Sequence, residues 1–389
     1  MFRIRRASVV LTLGLVAMLF VAASAALLAA RRDLGWEVLA PLDGWASEGP
    51  GTTGGAVSAT PQEYVVTNRQ ELVAALNNGA YAPPSSTPSS EPKIIYVDGV
   101  IDANVDDNDQ PLSCADYYRD GYSLEAYLAA YDPAVWGRVA PSGPLENARV
   151  ASRNAQQSRV RIRVGSNTTI VGVDRNATIK GAWLDIRGSG RTNIIIRNLR
   201  LIDTCDCFPA WSPTDGSTGS WNAEYDSISI RDADHVWIDH DEFADVETAD
   251  AKLPSYFGRL YQVHDGQLDI TNAASYVTVS WNRFRDHDKV ILIGASDSAT
   301  ADRGRLKVTL HHNVFDDVGQ RAPRVRFGQV HIYNNLYRIK GDADYQYSWG
   351  VGKESAIAAN DNLFRTAEGV DPAFTLQALT ASGSGPFNW

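Results

Sequence analysis

One pattern recurs through the second half of this chain: a run of strand-forming residues, a polar corner, then an apolar or aromatic residue. It reads IIIRNLRL at 194–201, VWIDHDEF at 236–243, VTVSWNRF at 277–284, VTLHHNVF at 308–315, VHIYNNLY at 330–337 and IAANDNLF at 357–364. Aligned on their last residue, these segments put Asn282, Asn313, Asn335 and Asn362 at one position, with Asp241 in the same register and Asn198 and His240 one place earlier. The shortest step, from 313 to 335, is 22 residues, the length of one solenoid coil, and the longer steps leave room for loops. A coil must turn sharply between strands, and a stacked column of side-chain amides can satisfy the backbone groups at that corner. The pattern therefore predicts an all-β chain folded as a parallel β-helix. A β-sandwich or barrel also has short strands and turns, but it does not require a fixed order of apolar and Asn positions.

The front of the chain is different. Residues 1–30 read as an export segment: Arg3, Arg5 and Arg6 precede an apolar run from Val9, and Ala23, Ser24 and Ala25 offer a cleavage site. An uncleaved membrane anchor is the alternative, since Val9 to Ala30 is long enough to span a bilayer. Residues 31–61, rich in Gly, Ser, Thr and Ala, form an entry segment that Trp36 and Trp45 dock in part on the body. The solenoid domain is expected over 62–389. It opens with a capping helix within Val66 to Leu76, started by Thr67 or Asn68, and then KIIYVDGVI at 93–101, a strand-like run broken by a Gly turn. Residues 102–160 read as a polar excursion outside the core, helical around Ser123 to Tyr131.

A formal net charge of −10 argues against a nucleic-acid partner bound by bulk charge, so an acidic ligand would need a local basic patch. DHDK at 286–289 and RAPRVR at 321–326 supply one, with Lys289, Arg321, Arg324 and Arg326; in an extended run Arg324 and Arg326 share a face. Beside it lie Asp226 in WNAEYD and Asp265 and Asp269 in DGQLD. Spaced i and i+4 along a strand, the last two can converge on one ion, and three hard oxygen donors together suit Ca²⁺. Cys114, Cys205 and Cys207 allow one disulfide and one thiol, with the pairing open, and their spacing is not that of a zinc site. The seven histidines fall mostly in or beside the repeats and read as corner or packing residues, with His287, two residues before Lys289, the exception. Trp211 and Trp221 are candidates for sugar stacking.

The strings WNAEYD, VWIDH, DGQLD, DHDK and QRAPRVRFGQVHIYNN, with GSNTTIVG at 165–172 and FPAWSPTDG at 208–216, closely resemble the secreted pectate lyases of polysaccharide lyase family 1, from about Gly44 to the end. The resemblance implies a right-handed parallel β-helix that cleaves polygalacturonate by β-elimination. Asp226, Asp265 and Asp269 then correspond to calcium ligands, Arg321 to the catalytic base, and Lys289 and Arg326 to binders of substrate carboxylates. It further implies a secreted protein, acting as a monomer on pectin, without a stable membrane partner once the leader is removed. Asp241 stands where related sequences often carry Cys, so a disulfide at that corner is not expected here. Two competing functions are a pectin lyase acting on methylated polymer, which would not call for three calcium carboxylates, and a silent pectin-binding solenoid, which would not call for Arg321 beside Lys289.

Overall fold

The computed structural model describes residues 34–81, 87–341 and 345–379; the expected export segment at 1–30 lies outside the described residues. The coils stack as a parallel β-helix with three faces. One face runs through Arg161–Arg163, the start of Trp183–Arg197, the start of Ile228–Asp239, Leu268–Thr271, Ile291–Ile293, Arg324–Val325, Trp349–Val351 and Leu376–Ala378. A second carries Ser275–Ser280, Lys307–His311, Gln329–Tyr333 and Ala356–Asn360. The long strands Trp183–Arg197 and Ile228–Asp239 bend from the first face onto the second and join them into one sheet, with a register shift between Arg231 and Ala233. The third face is an eight-stranded sheet from Val100–Asp102 to Leu363–Thr366.

Alternation along each strand explains the interior. Leu184, Ile186, Ile228, Ile230, Leu268 and Ile270 point inward and are fully buried, while the residues between them face out. The aromatic residue that closes each repeat forms its own column: Phe243, Phe284, Phe315, Tyr337 and Phe364 stack at 4.7, 5.1, 4.8 and 4.4 Å between successive ring centroids, their planes nearly parallel. The amide column is present as expected. Asp241 N donates to Asn282 Oδ1, Asn282 N to Asn313 Oδ1, Asn313 N to Asn335 Oδ1 and Asn335 N to Asn362 Oδ1, all at 2.8–3.0 Å. Asp241 extends it by accepting from Leu199 N at 2.8 Å. Burial pushes the Asp241 carboxyl well above the usual carboxylate range, which favours the neutral form that can stand in for an amide. One place earlier, Asn198, His240, Trp281, His312, Asn334 and Asp361 all take the left-handed conformation, φ 53–57°, that turns the chain.

The capping helix is Arg69–Leu76, its N-cap Asn68 accepting from Glu71 N at 2.9 Å, and it closes the first coil with Leu72, Val73, Ala75 and Leu76. The entry segment crosses the second face as a strap. Trp45 N donates to Thr309 Oγ1 and Ala46 N to Thr278 Oγ1, each at 3.0 Å; Thr53 N and Gly54 N share Asn193 Oδ1, and Gly55 N reaches Thr169 Oγ1 at 3.0 Å. A Cβ at Gly54, which has φ +54°, would lie 2.1 Å from Thr169 Oγ1, so only glycine allows this approach.

The excursion differs from the expectation of a purely polar outlier. It holds the helix Leu124–Ala130, capped by Ser123, the single turn Pro133–Trp136, and a long helix, Pro144–Val160, that the sequence reading missed. This helix buries Ala148, Arg149, Ser152, Gln156 and Val160, a face too small and polar to give an amphipathic signal. With Tyr117, Tyr122, Tyr127, Tyr131, Phe208 and Tyr261 the excursion builds an aromatic core of its own. Trp211 and Trp221 are part of that core, each 3% exposed, so neither presents an open ring face to a sugar. Cys114 pairs with Cys207, tying the excursion to the coils, and Cys205 is the free thiol.

Candidate active site

Three consecutive coils bring the charged motifs to one corner of the first face. Asp265 lies in the corner before Leu268–Thr271, Lys289 ends the strand before Ile291–Ile293, and Arg321 lies in the corner before Arg324–Val325. The register fixes this stacking: Gln267 N donates to Val290 O at 3.0 Å, Lys289 pairs with Gln320, and Ile291 N donates to Arg321 O at 2.6 Å. Asp226 occupies the same corner one coil earlier, where Ser227 N donates to Gly266 O at 3.1 Å.

The carboxylates converge. Asp226 is 1% exposed; its Oδ1 accepts from Gly266 N at 3.0 Å, while its Oδ2 accepts from Ser229 Oγ and lies 3.6 Å from Arg231 Nη2. Asp269 Oδ1 accepts from Leu292 N at 3.3 Å. A Cβ at Gly266 would stand 2.4 Å from Asp269 Oδ1 and 3.0 Å from Asp226 Oδ1, so both oxygens press on the one corner that has no side chain. Burial first, and then the neighbouring carboxylates, push Asp226 and Asp269 well above the usual range. The negative charge of Asp265 repels that of both, and its own Oδ1 accepts from Lys289 Nζ at 3.0 Å. Buried like charges held together need a cation, and oxygen-only donors suit a hard one. The residues present therefore fit a calcium ion.

Behind them lies a network that the sequence did not reveal. His287 Nε2 contacts Asp265 O at 2.9 Å and its Nδ1 contacts Asp245 Oδ2 at 2.5 Å. Burial alone would lower the His287 pKa, but the Asp245 charge and hydrogen bond outweigh it and raise it to about 9, which makes the ring a double donor. Asp245, Asp250 and His264 also bring their ligating atoms within 4.8 Å of one another. Both His264 ring nitrogens are already engaged there, Nδ1 at 3.1 Å from Asp250 and Nε2 at 3.0 Å from Thr248 Oγ1. No short motif links Asp245 to these partners, which lie 5 to 42 residues away along the chain.

Lys289 and Arg321 line a polar cleft of about 680 Å³, walled by Trp221, Asn222 and the hairpin bearing Arg259. Arg321 has φ 59°, a left-handed conformation that costs a bulky residue free energy on the order of 1 kcal/mol, and its buried Nε has no hydrogen-bond partner among the described residues. Arg326 is placed differently: Asp297 Oδ1 accepts from its Nε at 2.7 Å and Gly294 O from its Nη1 at 3.1 Å, away from the cleft lining.

A family model described as pectate lyase matches residues 140–380. The chain is 46% identical over 351 residues to a pectate lyase of Bacillus subtilis strain 168, covering 90% of this chain and 81% of that protein. Its fold superposes on a thermostable pectate lyase with a TM-score of 0.85 at 51% identity, over 89% of this chain and 82% of that one. A pectate lyase bound to a hexasaccharide gives 0.84 at 46% identity, over 89% and 85%. With motifs, coil architecture and relatives in agreement, the chain belongs to the pectate lyases of polysaccharide lyase family 1.

Proposed function

We propose that this protein is a calcium-dependent pectate lyase that cleaves (1,4)-α-D-galacturonan by β-elimination, releasing 4,5-unsaturated oligogalacturonides in pectin degradation. The observation that carries the reading is the stacking of Asp265, Lys289 and Arg321 at one corner of successive coils, beside two buried carboxylates that repel each other. Asp226, Asp265 and Asp269 would hold Ca²⁺, which when bound neutralises them and draws charge from a substrate carboxylate.

The chain's own groups do the rest. Lys289, a cleft-lining cation, donates to the C6 carboxyl group, where negative charge builds as the C5 proton leaves. Arg321, which lines the cleft, takes that proton on a nitrogen of its neutral guanidine. The C5–H electrons become the C4=C5 double bond, the C4–O bond breaks, and the departing oxygen is protonated by water. A guanidine acts as base only in its minor neutral form, so the rate should rise with pH. Arg326 would bind a neighbouring carboxylate by exchanging it for Asp297. His287 holds the Asp265 carbonyl in place, which makes it a positioning residue.

The assignment suits a secreted protein with its catalytic domain over 62–389; among the described residues no helix is long and apolar enough to cross a membrane. Incubation with polygalacturonate, with and without calcium, tests the reading. Ultraviolet absorbance from the conjugated product is expected only with the ion. Reducing ends formed without that absorbance would mean hydrolysis and end the lyase assignment.

A further inference from the structure

The outer register that carries Asp269 continues toward the N-terminal coils: Asp269 pairs with Ser229, Ser229 with Asp185, and Asp185 with Arg163. Two strand spacings, about 10 Å, separate Asp269 from Asp185 along this face. Asp185 is 1% exposed, and neither of its oxygens makes a hydrogen bond among the described residues. Guanidinium groups surround it instead: Arg187 Nε lies 3.4 Å and Arg161 Nε 3.9 Å from its carboxylate. Arg161 and Arg231 both stand over the Trp183 ring, at 5.5 and 5.4 Å from its centroid, and Trp183 is fixed by stacking on Tyr225 and by donating to Ser229 Oγ at 2.7 Å.

Positive charge is in excess here, although the whole chain is acidic. Arg161 and Arg187 share the carboxylate of Asp185, Arg231 leans on Asp226, and Arg191 stands close enough to feel the Asp185 charge. Burial, and then the neighbouring arginines, lower the pKa of Arg161 despite Asp185; Arg191 is lowered by burial and by Arg163. Sheet cohesion alone does not call for this excess, and the Arg187 side chain is 40% exposed. The guanidinium planes are held by Trp183 and Asp185 before any ligand arrives, so little entropy remains to be lost on binding a planar anion.

We propose that Arg161, Arg187 and Arg231 form a further subsite on the sheet face, taking a carboxylate of a long acidic polysaccharide whose reacting sugar lies at the Asp269 corner. This rests on the reading of the cleft as a polyuronate site. A strand spacing is comparable with the advance of one sugar along a 1,4-linked chain, so the subsite is reached only by oligomers that extend past the calcium corner. Arg231 bridges the two regions through its contact with Asp226.

The test compares trigalacturonate with octagalacturonate as substrates, followed by unsaturated product. Arg187→Gln should raise KM for the octamer about tenfold, the value of one charged hydrogen-bonded pair, and narrow the preference for octamer over trimer. Arg187→Lys should restore part of it, and added salt should erode the wild-type preference. Arg303→Gln, which removes a remote exposed partner of Glu354, is the charge control and should match wild type. Equal changes for both lengths, or none in a folded Arg161→Gln/Arg187→Gln variant, would return these arginines to a purely structural role. Should the wild type form no unsaturated product, the functional reading fails. Calorimetric binding of octagalacturonate to wild type and Arg187→Gln, then free of turnover, decides the subsite by the same tenfold criterion.

Discussion

Replacing Gly266 by alanine separates the carboxylate site from the fold that holds it. The backbone there does not need glycine for its conformation; what glycine supplies is space, because a Cβ would stand 2.4 Å from Asp269 Oδ1 and 3.0 Å from Asp226 Oδ1. Carbon and oxygen in contact settle more than 1 Å further apart than the first of these distances, so the Asp269 carboxylate must move by about 1 Å. A carboxylate is the free end of a short side chain and can swing at small cost to the fold. Calcium cannot follow it, since the ion holds its oxygens at about 2.3–2.6 Å and the other two carboxylates are anchored by Gly266 N and Lys289. Loss or distortion of one anionic ligand should weaken calcium binding about 10–100-fold, or roughly 1.4–2.8 kcal/mol. In a chelator, therefore, Gly266→Ala should melt within a few degrees of wild type. With calcium added, the wild-type melting temperature should rise at lower ion concentration than the variant's. Isothermal titration gives the affinity directly, and activity should return at the higher calcium level. A variant that binds calcium like wild type would show that Asp226 and Asp269 do not share an ion. A variant that unfolds in chelator would show that the clash falls on the backbone.

Further outcomes are expected. Chelation should abolish activity and Ca²⁺ restore it, with Mg²⁺ a poor substitute because it demands a small octahedral shell; full turnover in chelator would remove the metal from the reaction. Arg321→Lys should lose most of kcat with the fold intact, whereas Arg326→Lys should chiefly raise KM; near-wild-type kcat in folded Arg321→Lys would move the base elsewhere. The raised His287 pKa, about 9 against an unfolded value near 6.5, contributes stability that is complete below pH 6.5 and lost as pH rises through 9, on the order of 3 kcal/mol. His287→Gln should flatten the fall in melting temperature across that window, and an unchanged slope would contradict the ion pair with Asp245. Asn313→Ala strips the acceptor of Asn282 N and the donor to Val279 O, and should destabilise by about 3 kcal/mol in urea titrations. A loss below 1 kcal/mol would mean that water replaces the amide.

The coil architecture was legible because solenoid constraints are local and repeated: each corner asks for the same amide and each interior for the same aromatic ring, so Asn282 to Asn362 and Phe284 to Phe364 stand out by spacing. Asp265, Lys289 and Arg321 could be brought together by the resemblance and by their shared place before successive strands. The Asp245–His287 and Asp185–Arg161 contacts could not, because they join different coils and no short motif links them. The helix Pro144–Val160 escaped for a different reason. Its buried face is held by Arg149 donating to Glu146 and to Phe208 O rather than by an apolar stripe. The nearness of Trp211 and Trp221 to the site in sequence hid their role in packing the excursion, although Trp221 also walls the cleft.

Coils that touch only their neighbours should, taken alone, loosen one at a time from either end, like a stack of coins. The segment that reaches from Thr309 back to Thr169 through Trp45, Ala46 and Gly55 alters that, because it grips coils that do not touch one another. Contacts spanning as many as 264 residues must be the last made and the first released. We expect a slow final folding step and amide hydrogens in the strands around 169, 195, 278 and 309 that exchange with one shared opening free energy. A graded series of protection along the axis would show instead that the segment merely rests on the surface.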